Sequence, residues 1–229
     1  MADVAPRRQR MTVAVGDIHG QADRLERLLT QIDAWATHMR LVKTRLVFLG
    51  DFIDRGPDSK RVVDRLRALQ RDGAICLRGN HEEMMVRSVD NGGARRQFIV
   101  NGGDATLRSF GEGDAFEDAR LWMAGLPSHY EDAQHYFVHA GVDPHVALAR
   151  QNDAMRLWIR RPFLDFDGAF EKYVVHGHTP TRREDFDHAM PDVRDNRCNL
   201  DTGAGWGGPL SAAAFEERAA RPVHLFRAD

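Results

Sequence analysis

The chain has 229 residues, 42% hydrophobic and 29% charged, with a formal net charge of −2 and two cysteines. That apolar content supports a sizeable core, and the near-neutral balance supplies no long-range field for nucleic acid or an anionic membrane. No apolar run approaches the length of a membrane span, and no apolar segment follows the basic opening MADVAPRRQR, so neither insertion nor export is signalled and the cytoplasm is the expected compartment.

In chain order, residues 1–10 read as a flexible basic segment and 11–229 as a single domain. The run after Thr12 (VAV) predicts a strand. From Gln21 to Ala36 the residues Leu25, Leu28, Leu29, Ile32 and Trp35 recur at helical spacing. LVFLG then predicts a second strand. Beyond Pro57, with Asp58 or Ser59 as cap, Val62, Val63, Leu66 and Leu69 mark a helix that stops at Gly73, and AICL predicts a third strand. Such a βαβαβ run predicts a parallel sheet with ligands gathered at the carboxyl ends of its strands. Residues of about 83–130, with two Asn-Gly-Gly turns and short helical patterns, read as a helical insertion. The later runs HYFVHAG, YVVHGH, RCNLDTG, LSAAAF and PVHLF predict strands of a second, mixed sheet packed on the first, with DFDHAMPDVRDN as a surface loop. Cys76 and Cys198 fall in apolar runs and read as reduced core thiols rather than a disulfide or a zinc site.

Polar residues interrupt this pattern at the strand ends. Asp17 and His19 follow the first strand, and Asp51, Asn80, His139 and His178 finish four other apolar runs. Any one of them alone is more often a turn former than a ligand; the inference rests on their joint occurrence. Three oxygen donors and three imidazoles without a thiolate suit borderline divalent ions such as Mn²⁺, Fe²⁺, Co²⁺ or Zn²⁺. Six ligands are too many for one catalytic ion that keeps open positions, and they suit two ions about 3.5–4 Å apart sharing a carboxylate. His38, His129, His135, His145, His188 and His224 lack such a setting and read as surface or core residues.

The segments GDIHG, GDFIDRG, LRGNHEE, VHAG and HGHTP, in this order, resemble the phosphoprotein phosphatase branch of the calcineurin-like metallophosphoesterases, in particular its small bacterial and phage members, and LDTGAGWGGPLSAAAF resembles that group's closing segment. The resemblance implies an α/β fold of two packed mixed sheets flanked by helices. It also implies a dimetal centre with Asp17, His19 and Asp51 on one ion and Asp51, Asn80, His139 and His178 on the other. Water between two divalent ions is acidified and can attack phosphorus without a covalent intermediate. His81 resembles the family's general acid, with Asp54 orienting it, and Arg55 its first phosphate-binding arginine; RLWIRRPF resembles a bacterial segment whose spacing selects Arg160 over Arg161 as the second.

The expected activity is hydrolysis of phosphate monoesters, most of all phosphoserine and phosphothreonine in proteins, with two divalent ions, Mn²⁺ first, as cofactors. Symmetrical hydrolysis of diadenosine tetraphosphate, carried out by a sister group, is the alternative; Asp54 and the sequence GNHE favour the phosphatase side. An inactive metal-binding scaffold is the third reading, and retention of His81, Asp54 and Arg55 argues against it. The expected partners are a phosphoprotein or a small phosphoester, with no nucleic acid and no membrane. His176 either reaches the site beside His178 or fills the strand end. Asp201 either bonds a ligand histidine or forms a turn. Glu82 and Arg78 hold the Asn80 loop through hydrogen bonds or a mutual ion pair, and Gly79 gives the backbone a sharp exit.

Overall fold

A computed structural model describes residues 11–111, 113–182 and 184–229; the expected basic segment 1–10 lies outside the described residues. The chain runs β1 (Met11–Val15), α1 (Ala22–His38), β2 (Thr44–Phe48), α2 (Ser59–Arg71) and β3 (Ile75–Cys76). Four helices follow: α3 (Asn80–Arg87), α4 (Gly92–Phe98), α5 (Asp104–Phe110) and α6 (Asp114–Ala124), with a wider turn at Ile99–Gly103 joining α4 to α5. Then come β4 (His129–Glu131), β5 (His135–Val138), α7 (Asp153–Trp158), β6 (Tyr173–His176), β7 (Asp192–Val193), β8 (Arg197–Asn199), β9 (Leu210–Glu216) and β10 (His224–Ala228).

Among the described residues, ten strands form two five-stranded sheets, in the orders β10-β9-β1-β2-β3 and β4-β5-β6-β8-β7. The α/β architecture of two mixed sheets flanked by helices is the expected one. As expected, β1, β2 and β3 are parallel, with Val13 opposite Leu46 and Val47 opposite Ile75. Strand alternation divides the core: Val13, Val15, Ala212 and Ala214 face Leu25, Leu28, Val62 and Leu66 of the helices, while Ala14, Val47, Ala213 and Phe215 face Phe137, Val175, Cys198 and Leu200 of the second sheet. Strands buried on both faces have to be apolar at successive positions, as VAV, LVF and AAAF are. Cys76 and Cys198 are free and buried, as expected.

Five readings change. LSAAAF and PVHLF, expected in the second sheet, are β9 and β10 and join the first: β9 runs antiparallel to β1 with Ala213 opposite Ala14, and β10 pairs with β9 at the edge. A small-residue strand without a polar face suits the crowded middle of a sheet, and sequence order does not say which sheet a late strand joins. The helical stretch starts at Asn80 rather than Glu83. Neither Asp58 nor Ser59 caps α2 through its side chain; Ser59 Oγ is turned to Asp54 and Thr106. Gly79 is extended (φ −96°, ψ 179°), so no special turn requires it. A Cβ there would instead run into the carboxylate and amide nitrogen of Asp51, and this close approach is the reason for glycine. Within DFDHAMPDVRDN lies β7, a two-residue edge strand opposite Cys198 and Asn199. No helix among the described residues is long and apolar enough to cross a membrane.

Candidate active site

Every strand pointing at the site ends in a residue with side-chain chemistry, and the backbone is bent to present it. Among the described non-glycine residues, positive φ occurs at His19 (47°), Asp51 (52°), Asp54 (74°), Arg55 (69°), His178 (67°) and Arg40 (53°); all but Arg40 are candidate site residues. Left-handed backbone costs an L-residue on the order of 1–2 kcal/mol, so strain is concentrated where function would use it. Glu82 holds the central loop. One of its oxygens accepts the backbone N–H groups of Asp51 and Gly79, and the other that of Phe52, all at 2.8 Å, so one buried carboxylate ties the end of β2 to the start of α3. The expected hydrogen-bonding role of Glu82 is seen. Arg78 pairs with Asp153 instead of Glu82.

Asp51 is the hub. Its Oδ1 lies 3.3 Å from His139 Nε2, and its Oδ2 lies 3.5 Å from His19 Nε2 and 3.8 Å from His81 Nε2. Asn80 Oδ1 is 2.8 Å from both His139 Nε2 and His178 Nδ1. The back nitrogens of two rings are committed: His19 Nδ1 donates to the Ile53 carbonyl (2.8 Å) and His139 Nδ1 to that of Leu49 (3.0 Å), which leaves Nε2 of each free to face the cluster. Two groups of three buried side chains converge within 4.8 Å, namely His19, Asp51 and His81, and Asp51, His139 and His178. Asp17 stands beside them, its carboxylate accepting the His178 N–H at 3.0 Å.

Charge sorts the four imidazoles. Burial, then the nearby Arg55 and His81, push His19 well below its ordinary pKa; burial with His139 does the same to His178, and burial lowers His139. These three rings are held neutral, as metal ligands must be. Burial also pulls on His81, but the charges of Asp51 and Asp54 outweigh it and raise its pKa. Burial, Asp201 and Asp51 raise the Asp17 carboxyl well above the usual range. Crowded buried carboxylates with neutral imidazoles and an amide oxygen form a donor set that fits divalent cations.

Beside this cluster His81 Nδ1 lies 2.6 Å from Asp54 Oδ2, both residues buried. Thr106 of α5 donates to Asp54 Oδ1 (2.6 Å), and the Asp54 N–H reaches Thr106 Oγ1 (2.9 Å) and Ser59 Oγ (3.2 Å). Arg55 places Nη1 at 2.6 Å from His19 Nε2 and Nη2 at 2.9 Å from His81 Nε2, and its N–H donates to the Gly102 carbonyl in the turn between α4 and α5. Arg160 is exposed and its charge acts on His178, while Arg161 points to Asp165 at 3.1 Å. His176 packs against the Phe163 ring (4.8 Å), burial lowers its pKa to about 3, and it belongs to neither converging trio, so it fills the strand end. Asp201 forms a turn, its Oδ1 accepting the Gly203 N–H at 3.0 Å. The sequence reading missed Ser59, Thr106 and two indoles at the site's edge. Trp206 lies over Arg55 (4.5 Å), and Trp158 lies 6.3 Å from His178 and donates to Glu83.

The chain matches the family described as calcineurin-like phosphoesterase over residues 11–202. It is 31% identical to a symmetrical bis(5'-nucleosyl)-tetraphosphatase of Janthinobacterium sp. (strain Marseille), over 90% of this chain and 93% of that protein. It is 30% identical to serine/threonine-protein phosphatase 1 of Salmonella typhimurium (88% and 90%), and 23% identical to the asymmetrical bis(5'-nucleosyl)-tetraphosphatase PrpE of Oceanobacillus iheyensis (89% and 88%). A solved protein serine/threonine phosphatase from Saccharomyces cerevisiae shares the fold, with a TM-score of 0.62 at 14% identity over 98% of this chain and 81% of that one. A hub carboxylate among neutral imidazoles at the strand ends, together with these relatives, makes the chain a metal-dependent phosphoesterase belonging to the calcineurin-like phosphoesterase family.

Proposed function

We propose that this phosphoesterase hydrolyses phosphate monoesters with strongly basic leaving groups, phosphoserine and phosphothreonine in proteins first among them. Asp17, His19 and Asp51 would hold one divalent ion and Asp51, Asn80, His139 and His178 the other, with Mn²⁺ as the expected metal. When bound, two such ions supply Lewis-acid activation of the phosphoryl group and lower the pKa of water. Arg55 and Arg160 grip the phosphoryl oxygens through charge-assisted hydrogen bonds. Once Arg55 turns from His81 Nε2 to the phosphoryl oxygens, His81 carries a proton on Nε2 for the departing oxygen, and Asp54 holds the ring charged and in place through Nδ1.

One observation carries this reading: the buried His81–Asp54 contact of 2.6 Å, in the only imidazole of the cluster whose pKa is raised. A serine or threonine alkoxide has to be protonated as it leaves, whereas a nucleoside diphosphate is a weak base and needs little help. A second reading, hydrolysis of dinucleoside tetraphosphates, is favoured by the names of two of the relatives above. The test is a Mn²⁺-loaded assay of a phosphothreonine peptide, diadenosine tetraphosphate and an aryl phosphate side by side. The proposal expects the peptide to be cleaved with the highest kcat/KM of the physiological substrates. A preference of about 100-fold or more for diadenosine tetraphosphate, equivalent to roughly 2.7 kcal/mol, would replace it with the second reading.

A further inference from the structure

Arg55 follows a residue with φ of 74° and itself sits at 69°, so two successive left-handed residues send its side chain out over the cluster. A phosphate-binding guanidinium has to keep its plane as well as its position, because its two nitrogens address two oxygens at once. Along its edge Arg55 meets the Nε2 atoms of His19 and His81. Its face meets Trp206, whose ring centre lies 4.5 Å from Cζ.

Trp206 is held there by the chain around it. It ends a short 3₁₀ turn, Ala204–Trp206, flanked by Gly203 and Gly207 in left-handed conformations. Arg24 of α1 ties this turn down by donating to the carbonyls of Ala204 (3.2 Å) and Gly207 (2.8 Å). The turn lies so close to the site that a Cβ on Gly205 would come within 2.7 Å of the His19 ring and 3.0 Å of Arg55 Cδ. The indole remains 57% exposed, so core packing is a minor part of what it does.

We infer that Trp206 is a positioning residue for Arg55: its indole stacks on the guanidinium and fixes the plane in which Arg55 meets the phosphoryl group. The inference rests on the reading of Arg55 as a phosphate ligand. Removing the indole releases the guanidinium into other rotamers and leaves the metal ligands and His81 in place. A cation–π contact at a half-exposed site is worth enough to change kcat/KM by about 5- to 30-fold.

The test uses Mn²⁺-loaded protein with p-nitrophenyl phosphate and a phosphothreonine peptide, on Trp206→Ala, Trp206→Phe, Trp206→Leu, Arg55→Ala and the double variant Trp206→Ala/Arg55→Ala, with thermal melts alongside. Trp206→Ala and Trp206→Leu should lower kcat/KM on both substrates by about 5- to 30-fold with unchanged melting, and Trp206→Phe, which restores an aromatic face, should recover to within about 3-fold of the parent. In the Arg55→Ala background, Trp206→Ala should cost less than about 2-fold, because the group it positions is gone. Full recovery by leucine, additive losses in the double variant, or a loss confined to the aryl substrate would overturn the inference, the last by showing direct contact with the leaving group. A fully active Arg55→Ala would instead remove Arg55 from the proposed function, which is a separate failure.

Discussion

Asp54→Asn removes one of the two carboxylate charges, beside that of Asp51, that hold His81 protonated, and changes little else. The amide has nearly the shape of the carboxylate and can still accept from Thr106, now 2.6 Å from Asp54 Oδ1. The lost interaction is the one across 2.6 Å to His81 Nδ1, between side chains 0% and 2% exposed, where no solvent can take over. Asp54 supplies both a hydrogen bond and a charge to the raised pKa of His81, and burial opposes it, so the ring shifts toward its neutral form in the variant. General-acid protonation is worth about 10²–10⁴ in rate, so turnover of a phosphothreonine peptide should fall about 10²- to 10³-fold in Asp54→Asn and at least as far in His81→Asn, against less than about 10-fold for p-nitrophenyl phosphate. The pH profile follows with a definite sign. The active form of His81 is protonated and its pKa is raised, so peptide turnover falls on the alkaline side, and Asp54→Asn moves that limb to lower pH. Steady-state kinetics on the two substrates, with metal analysis of each variant, check this. Equal losses on both substrates would refute the acid assignment. Loss of metal in His81→Asn would mean that the ring acts as a ligand, as its 3.8 Å approach to Asp51 allows.

Asp51→Asn should reduce metal content at both positions, because its two oxygens face different ring nitrogens, whereas Asp17→Asn should weaken one; elemental analysis decides, and two ions retained in Asp51→Asn would refute the bridge. Glu82→Gln turns one acceptor oxygen into a donor facing backbone N–H groups, so it should lower unfolding stability by about 1–3 kcal/mol in denaturant melts. Arg160→Ala should lower kcat/KM about 10- to 100-fold and Arg161→Ala less than about 2-fold, since Arg161 is engaged with Asp165; equal effects would undo the choice between them.

Much of this site was readable because strand periodicity and strand-end chemistry are both local. VAVGD, LVFLGD and FVHAG each announce an apolar run and the polar residue that ends it, so Asp17, Asp51 and His139 could be placed before any tertiary contact was known. What escaped was non-local. Thr106 holds Asp54 from 52 residues away, and a lone threonine in a helical insertion carries no signal of that. Trp206 reaches Arg55 from a turn that Arg24 of α1 ties down, a contact between three segments far apart in the chain. The same limit misassigned β9: its apolar pattern was correct, but the partner strand β1 lies about two hundred residues earlier, and pattern alone cannot choose between two sheets that both need an apolar neighbour. Gly79 shows a subtler limit, since a glycine required for close approach looks the same in sequence as one required for a turn.

Two divalent ions sharing Asp51 are the centre of the proposed chemistry. Protein stripped of metal by exhaustive chelation and titrated with Mn²⁺ should show no turnover of p-nitrophenyl phosphate at the start and a rise that saturates at two equivalents per chain, with bound metal measured on the same samples. Full turnover in the stripped protein, or saturation at a single equivalent, would contradict it.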